Sequence, residues 1–79
     1  MATKVVSAVY ASNFLGEDVT KRCQQILTPP NNKIPVNNKT FGDPDGGNKK
    51  YFAITYTVDG GQQQYQGAEE GQTLTVPPE

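Results

Sequence analysis

The sequence predicts a mainly β fold, a small antiparallel β-sandwich or half-barrel of about five strands with one short helix. Three observations carry this expectation. Residues 51–58, YFAITYTV, alternate with the period of two that a half-buried strand requires. Clusters of Gly, Pro, Asn and Asp separate the apolar stretches at short intervals. A single segment carries a helical period, so the strand–helix alternation of a parallel sheet is missing.

The elements follow in chain order. Residues 4–11, KVVSAVYA, are rich in β-branched side chains and read as a strand, with Val6, Ala8 and Tyr10 on one face and Val5, Ser7 and Val9 on the other. SNFLGED breaks the pattern as a loop. Asp18 is placed to cap a helix, because its carboxylate can accept an orphan backbone N–H. Val19, Cys23, Ile26 and Leu27 then form one apolar stripe, with Lys21, Arg22, Gln24 and Gln25 outside. Thr28-Pro29-Pro30 ends it after about three turns. KIPV, 33–36, reads as a short edge strand containing Pro35. A long polar turn, 37–50, feeds the strand 51–58, which is expected to turn Phe52, Ile54, Tyr56 and Val58 to the core. DGG at 59–61 is a hairpin turn, QQQYQ pairs back, AEEG at 68–71 is a second turn, and QTLTV at 72–76 closes the sheet with Leu74 and Val76 inward. Pro77-Pro78-Glu79 is a terminal stub. No linker divides the chain, so 1–79 is one domain.

With 79 residues, 34% of them hydrophobic, the core is thin. Small chains gain support from disulfides, metals or oligomerisation. One cysteine forms no internal disulfide and zero histidines remove the usual zinc sets, which leaves a homo-oligomer as the expected support. A net charge of −1 offers no basic stripe for nucleic acid. No apolar run is long enough to span a bilayer, and MATKVVSAVY lacks the pattern of a signal peptide. A cytoplasmic location is the expectation, although a mature secreted chain would also lack its signal. Asn38-Lys39-Thr40 forms a glycosylation sequon, read as a chance match in an exposed loop.

Asp43-Pro44-Asp45-Gly46-Gly47-Asn48 invites comparison with a calcium loop. Counted from Asp43, position five is Gly47, position six is Asn48 and position twelve is Ile54, so the helix–loop–helix calcium pattern fails. Only an irregular site from Asp43, Asp45 and Asn48 would remain, against a plain turn made by good turn-forming residues. No metal or cofactor is expected. Cys23 lacks a base to activate it and lies on the apolar stripe. Glu69 and Glu70 are adjacent and point apart, unlike a glycosidase pair. With no catalytic set or phosphate loop, the chain is not expected to be an enzyme.

The polar loop is the better candidate. Asn, Asp and Gln supply fixed donors and acceptors for sugar hydroxyls, and tyrosine adds a flat apolar face with a polar tip. Asn37, Asn38, Asp43, Asp45, Asn48, Tyr51 and Tyr65 form the expected ligand-binding set.

Several stretches also carry a family likeness: VYA near the start, DVT at 18–20, FGDP at 41–44, then Lys50-x-Phe52-x-Ile54-x-Tyr56, a glycine turn, an EG turn and a last strand ending in proline. Taken in order, these resemble a small β-rich domain of unknown function found at the C-terminus of J-domain co-chaperones of the DnaJ subfamily C type. The likeness runs along nearly the whole chain, and Ala11 stands where it would put glycine. It implies a stand-alone β module for binding or assembly, with no catalytic residues to carry over. Three readings of function follow: a lectin-like, non-enzymatic carbohydrate binder; a structural or protein-interaction module that self-associates through edge strands; and an inhibitor or toxin-like protein presenting residues 37–50 as a rigid loop.

Overall fold

The computed structural model describes residues 3–77. It is the expected β-rich domain, built as a four-stranded antiparallel sheet faced by a two-stranded sheet and a helix. Strands β1 (Thr3–Ala11), β2 (Gly16–Asp18), β4 (Tyr51–Val58) and β5 (Gln64–Glu69) form the larger sheet in the order β2-β1-β4-β5. Strands β3 (Lys33–Pro35) and β6 (Thr73–Thr75) form the smaller, and helices α1 (Thr20–Ile26) and α2 (Asn38–Phe41) complete the described residues. The stub expected at the C-terminus lies, beyond Pro77, outside them. Among the described residues no helix is long and apolar enough to cross a membrane.

The core lies between the two layers. From the larger sheet come Val5, Ala8, Tyr10, Phe52, Ile54 and Tyr56; from α1 and its flanks come Val19, Cys23 and Leu27; and Ile34, Val36 and Val76 close the far side. Residues Phe52, Ile54 and Tyr56 face inward as the period of two requires, and Val58 is half-buried at the strand's end.

Strand β1 departs from the simple alternation. A bulge between Val5 and Ser7 shifts its register against β4, so Val5 joins Ala8 and Tyr10 inside while Val6 turns out. The helix explains why. Gln24 Oε1 accepts the Val5 N–H at 2.8 Å and Thr20 Oγ1 accepts the Ala8 N–H at 2.9 Å. Side chains of α1 thus cover the stretch of β1's free edge that β2 is too short to pair, a common protection for an exposed strand edge.

Helix α1 has seven residues, about two turns rather than three. Asp18 does not occupy the cap position, which falls to Val19. Its Oδ1 still accepts the Thr20 N–H at 2.9 Å and the Thr20 hydroxyl at 2.6 Å, one residue earlier than expected. The loop after β1 holds β2, and the long polar turn holds α2, capped by Asn37 Oδ1 on the Thr40 N–H at 2.8 Å. The turn at 59–61 is a tight hairpin turn with Asp59 at φ 54° and Gly60 at φ 75°, both left-handed as its geometry requires. The second turn begins later than expected, because β5 runs on to Glu69.

Burial pushes the Cys23 thiol up to about 12, so it stays protonated at neutral pH. Native protein should therefore leave Ellman's reagent unreacted and release one equivalent of chromophore in urea. Rapid labelling of the folded protein would contradict this burial.

Candidate functional site

Residues 42–50 wrap around one side chain. Lys50 directly precedes β4 with the parity of Phe52 and Ile54, so its stem enters the core and only 2% of it is exposed. Its ammonium has three N–H donors. They meet Asp43 Oδ1 at 2.6 Å, the Asn48 carbonyl at 2.6 Å and the Asp45 carbonyl at 2.9 Å. Glu70 adds a second carboxylate 3.8 Å away, and its Oε1 also accepts the Lys50 N–H at 3.0 Å. The bond to Asp43 holds the Lys50 ammonium above its ordinary pKa, against the opposing effect of desolvation.

This loop is therefore folded around a cation, supplied by the chain itself. Asp43, the first residue of the calcium comparison, binds Lys50. Asp45 turns elsewhere: its Oδ2 accepts the Ser12 hydroxyl at 2.6 Å and the Asn48 amide at 2.9 Å, and these bonds hold its carboxyl below the usual range. Among the described residues no group of three or more His, Cys, Asp or Glu side chains is arranged to hold a metal.

The loop is tied to the core beneath it. Phe41 packs its ring 5.1 Å from Tyr10 and 5.3 Å from Phe52. The Tyr10 hydroxyl donates to Asn38 Oδ1 at 2.7 Å. Its pKa is raised, first by burial and then by the nearby Glu70 carboxylate. Gly42 follows α2 with φ 86°, a conformation that a side chain would strain.

Between this loop and the turn at 70–71 lies a cleft of about 480 Å³, lined by Asn38, Asp43, Asn48, Lys49, Glu70 and the backbone of Gly47 and Gly71 over Lys50. The structure brings three of the expected residues, Asn38, Asp43 and Asn48, to this cleft. It places the other four differently. Asn37 is the cap of α2 and Asp45 braces the β1–β2 hairpin through Ser12. Tyr51 and Tyr65 stand on the opposite, outer face of the larger sheet, paired across strands with Glu69 and Thr55 respectively. Tyr51 borders the cleft through Lys49, whose Nζ lies 5.9 Å from the ring centre and 2.8 Å from Glu69.

Lys50 and Glu70 are the site residues that loop composition does not reveal. Lys50 did carry a signal, since a lysine at core parity on a strong strand must find partners. Glu69 and Glu70 point apart as adjacent residues should: Glu69 pairs with exposed Lys49, and Glu70 faces the cleft.

Comparisons with protein-family models, curated proteins and solved structures give no match for this chain.

Proposed function

We propose that the protein is a non-enzymatic, lectin-like carbohydrate-binding module that takes a sugar in the cleft over Lys50. The observation that carries the reading is a polar cleft whose wall is cross-braced by a buried ammonium. Carboxylates of Asp43 and Glu70 and the amides of Asn38 and Asn48 converge there, a set of acceptors and donors suited to hydroxyls that both donate and accept. Its volume falls within the range of small-ligand sites, and every side chain that lines it carries a polar group, which favours a hydroxyl-rich ligand over an apolar one. A wall already fixed by Lys50 spares the ligand the cost of ordering it. Kinship with the co-chaperone C-terminal domain belongs to the same proposal. In it Phe41, Gly42, Asp43, Pro44 and Lys50, the residues of the FGDP…K likeness, serve as the scaffold of the cleft.

A glycan array with the purified protein is expected to give a defined set of ligands. For the best of them, Asn48→Ala and Glu70→Gln should each weaken binding about tenfold by titration calorimetry, the loss of roughly one good hydrogen bond. An array blank for every sugar, or affinities untouched in both variants, would sink the reading.

The second reading, a self-associating module, is favoured by a separate observation: apolar side chains left bare on the outer face of the larger sheet. Its edge-strand form would use β5, since α1 and β2 cover the free edge of β1.

A further inference from the structure

Among the described residues the large apolar side chains left exposed are Val6, Val9, Phe14, Leu15, Tyr51 and Tyr65. Four of them sit on strands of the larger sheet and two at the end of it. Cross-strand register puts Val9, Tyr51 and Tyr65 on the outer face, with Val9 opposite Ala53 and Tyr65 opposite Thr55. The bulge turns Val6 to solvent, and Phe14 and Leu15 form the tip of the β1–β2 hairpin at the end of the same sheet. Scattered exposed apolar residues are ordinary, whereas a contiguous set marks an interface.

The hairpin tip is rigid. The Ser12 hydroxyl oxygen accepts the N–H groups of Phe14 and Leu15 at 3.0 and 3.1 Å while its proton goes to Asp45, 2.6 Å away. The Ser12 N–H donates to the Leu15 carbonyl at 2.8 Å. Phe14, 80% exposed, is thus held in water by a braced turn, the arrangement of an interface anchor whose ordering cost is already met.

We propose that this face is covered by a second copy of the chain, packed sheet to sheet about a two-fold axis that lies between the sheets and across the strands. Size supports this occupant. Strands of nine, three, eight and six residues, about 4.8 Å apart and rising about 3.3 Å per residue, present a footprint of roughly 400 Å². With the relief of its side chains such a face fits the small interface of a weak dimer, one that forms in the micromolar to millimolar range. Charge supports it too. Lys4, opposite Thr57, stands at one end of the outer face, and Asp18, opposite Val9, stands toward the other. The two-fold reverses the strands, so Lys4 of each copy comes toward the Asp18 end of the other, where unlike charges set the register. Lys49 and Glu69 neutralise each other within one chain and bring no net charge to the contact. A sheet buried on both faces also answers the thin core of an 8.6 kDa domain.

The inference does not depend on the glycan reading, because the cleft and the outer face are different surfaces. Sedimentation equilibrium over micromolar to millimolar concentrations tests it on the intact chain. The expected result is a dimer twice the 8.6 kDa chain mass. Val9→Lys with Tyr65→Lys should raise the dissociation constant at least about tenfold, since both positions lie within the contact. Lys21→Glu, on the outside of α1, should leave it unchanged, and circular dichroism of each variant checks that the fold survives. A chain that stays monomeric at the highest concentration would overturn the proposal. So would a dimer indifferent to the double variant, which would place the contact elsewhere, as in β5 edge pairing. A blank glycan array beside an intact dimer would remove only the carbohydrate reading.

Discussion

Replacing Lys50 by methionine is expected to lower the melting temperature of this domain by about 10 °C or more. Methionine fills much the same volume, so packing is not what fails. What is lost is the cation around which residues 43–48 are folded. The Asn48 carbonyl loses its ammonium donor, the Asp45 carbonyl keeps only the Asn48 N–H, and the carboxylates of Asp43 and Glu70 face each other without a counter-charge. The carboxylates left behind are part-exposed and keep some hydration, but two like charges have lost their counter-ion and a carbonyl its donor, which in a domain this small takes a large share of the stability. Asp43→Asn keeps an acceptor for the ammonium and leaves Glu70 as counter-ion. With Asp43 itself 39% exposed, that variant should lose only several degrees of melting temperature. The pH dependence carries a sign. A lysine whose folded pKa is raised contributes fully below its unfolded value of 10.5 and loses that contribution as pH rises through the folded value, so the stabilisation should persist at neutral pH and fail only in strong alkali. Thermal melts followed by near-ultraviolet circular dichroism read all three results. A Lys50→Met protein that melts within about 5 °C of the wild type would refute the central role of this side chain.

What could be read from the sequence follows the strength of each local pattern. Strand β4 was legible because Phe52, Ile54 and Tyr56 alternate with smaller or polar residues, and only one parity suits a core. The apolar stripe of α1 was legible for the same reason, with Val19, Cys23 and Leu27 all buried. Strand β1 has valines at both parities, so its own residues do not say which way it faces. The bulge at Val6 is decided by Gln24, 19 residues away, taking the Val5 N–H. Strand β2 and helix α2, of three and four residues, lack the length for any period to show. Pairing to β1 makes the first, and the Asn37 cap with the burial of Phe41 makes the second. The same limit applies to the candidate site. Loop composition marked Asn38, Asp43 and Asn48, but the bond from Ser12 to Asp45 spans 33 positions and is visible only in three dimensions. Asn37 and Asp45 have the residue types of ligand contacts and use their side-chain oxygens on the chain itself.

Truncating Phe41 to alanine is the other large effect, and it separates the loop from the sheet. Phe41 is the one buried residue of α2, 8% exposed, with its ring nearly parallel to that of Phe52 and tilted against Tyr10. A four-residue helix has no stability of its own, so it holds its place through this ring, the Asn37 cap and the Asn38 bond to Tyr10. Removing a buried phenylalanine typically costs about 3–5 kcal/mol, and the two ring contacts put this one toward the upper end. Ile54→Val, in the middle of β4, provides the comparison at about 0.5–1.5 kcal/mol, because it removes a single buried methyl group. The two variants should differ in kind as well as size. Ile54→Val should lower the urea midpoint and leave the cleft intact, since Ile54 lies within β4 and does not line the cleft. Phe41→Ala should release the start of the loop that carries Asn38 and Asp43, and amide exchange of residues 38–50 should rise well below the global unfolding midpoint. Leucine at the same position keeps apolar volume in the gap between Tyr10 and Phe52 and should recover part of both losses. A Phe41→Ala protein that loses less than about 1 kcal/mol by urea denaturation would mean that Lys50 and the bonds from Tyr10 and Ser12 hold the loop, and that the aromatic contacts beneath it are incidental to its shape.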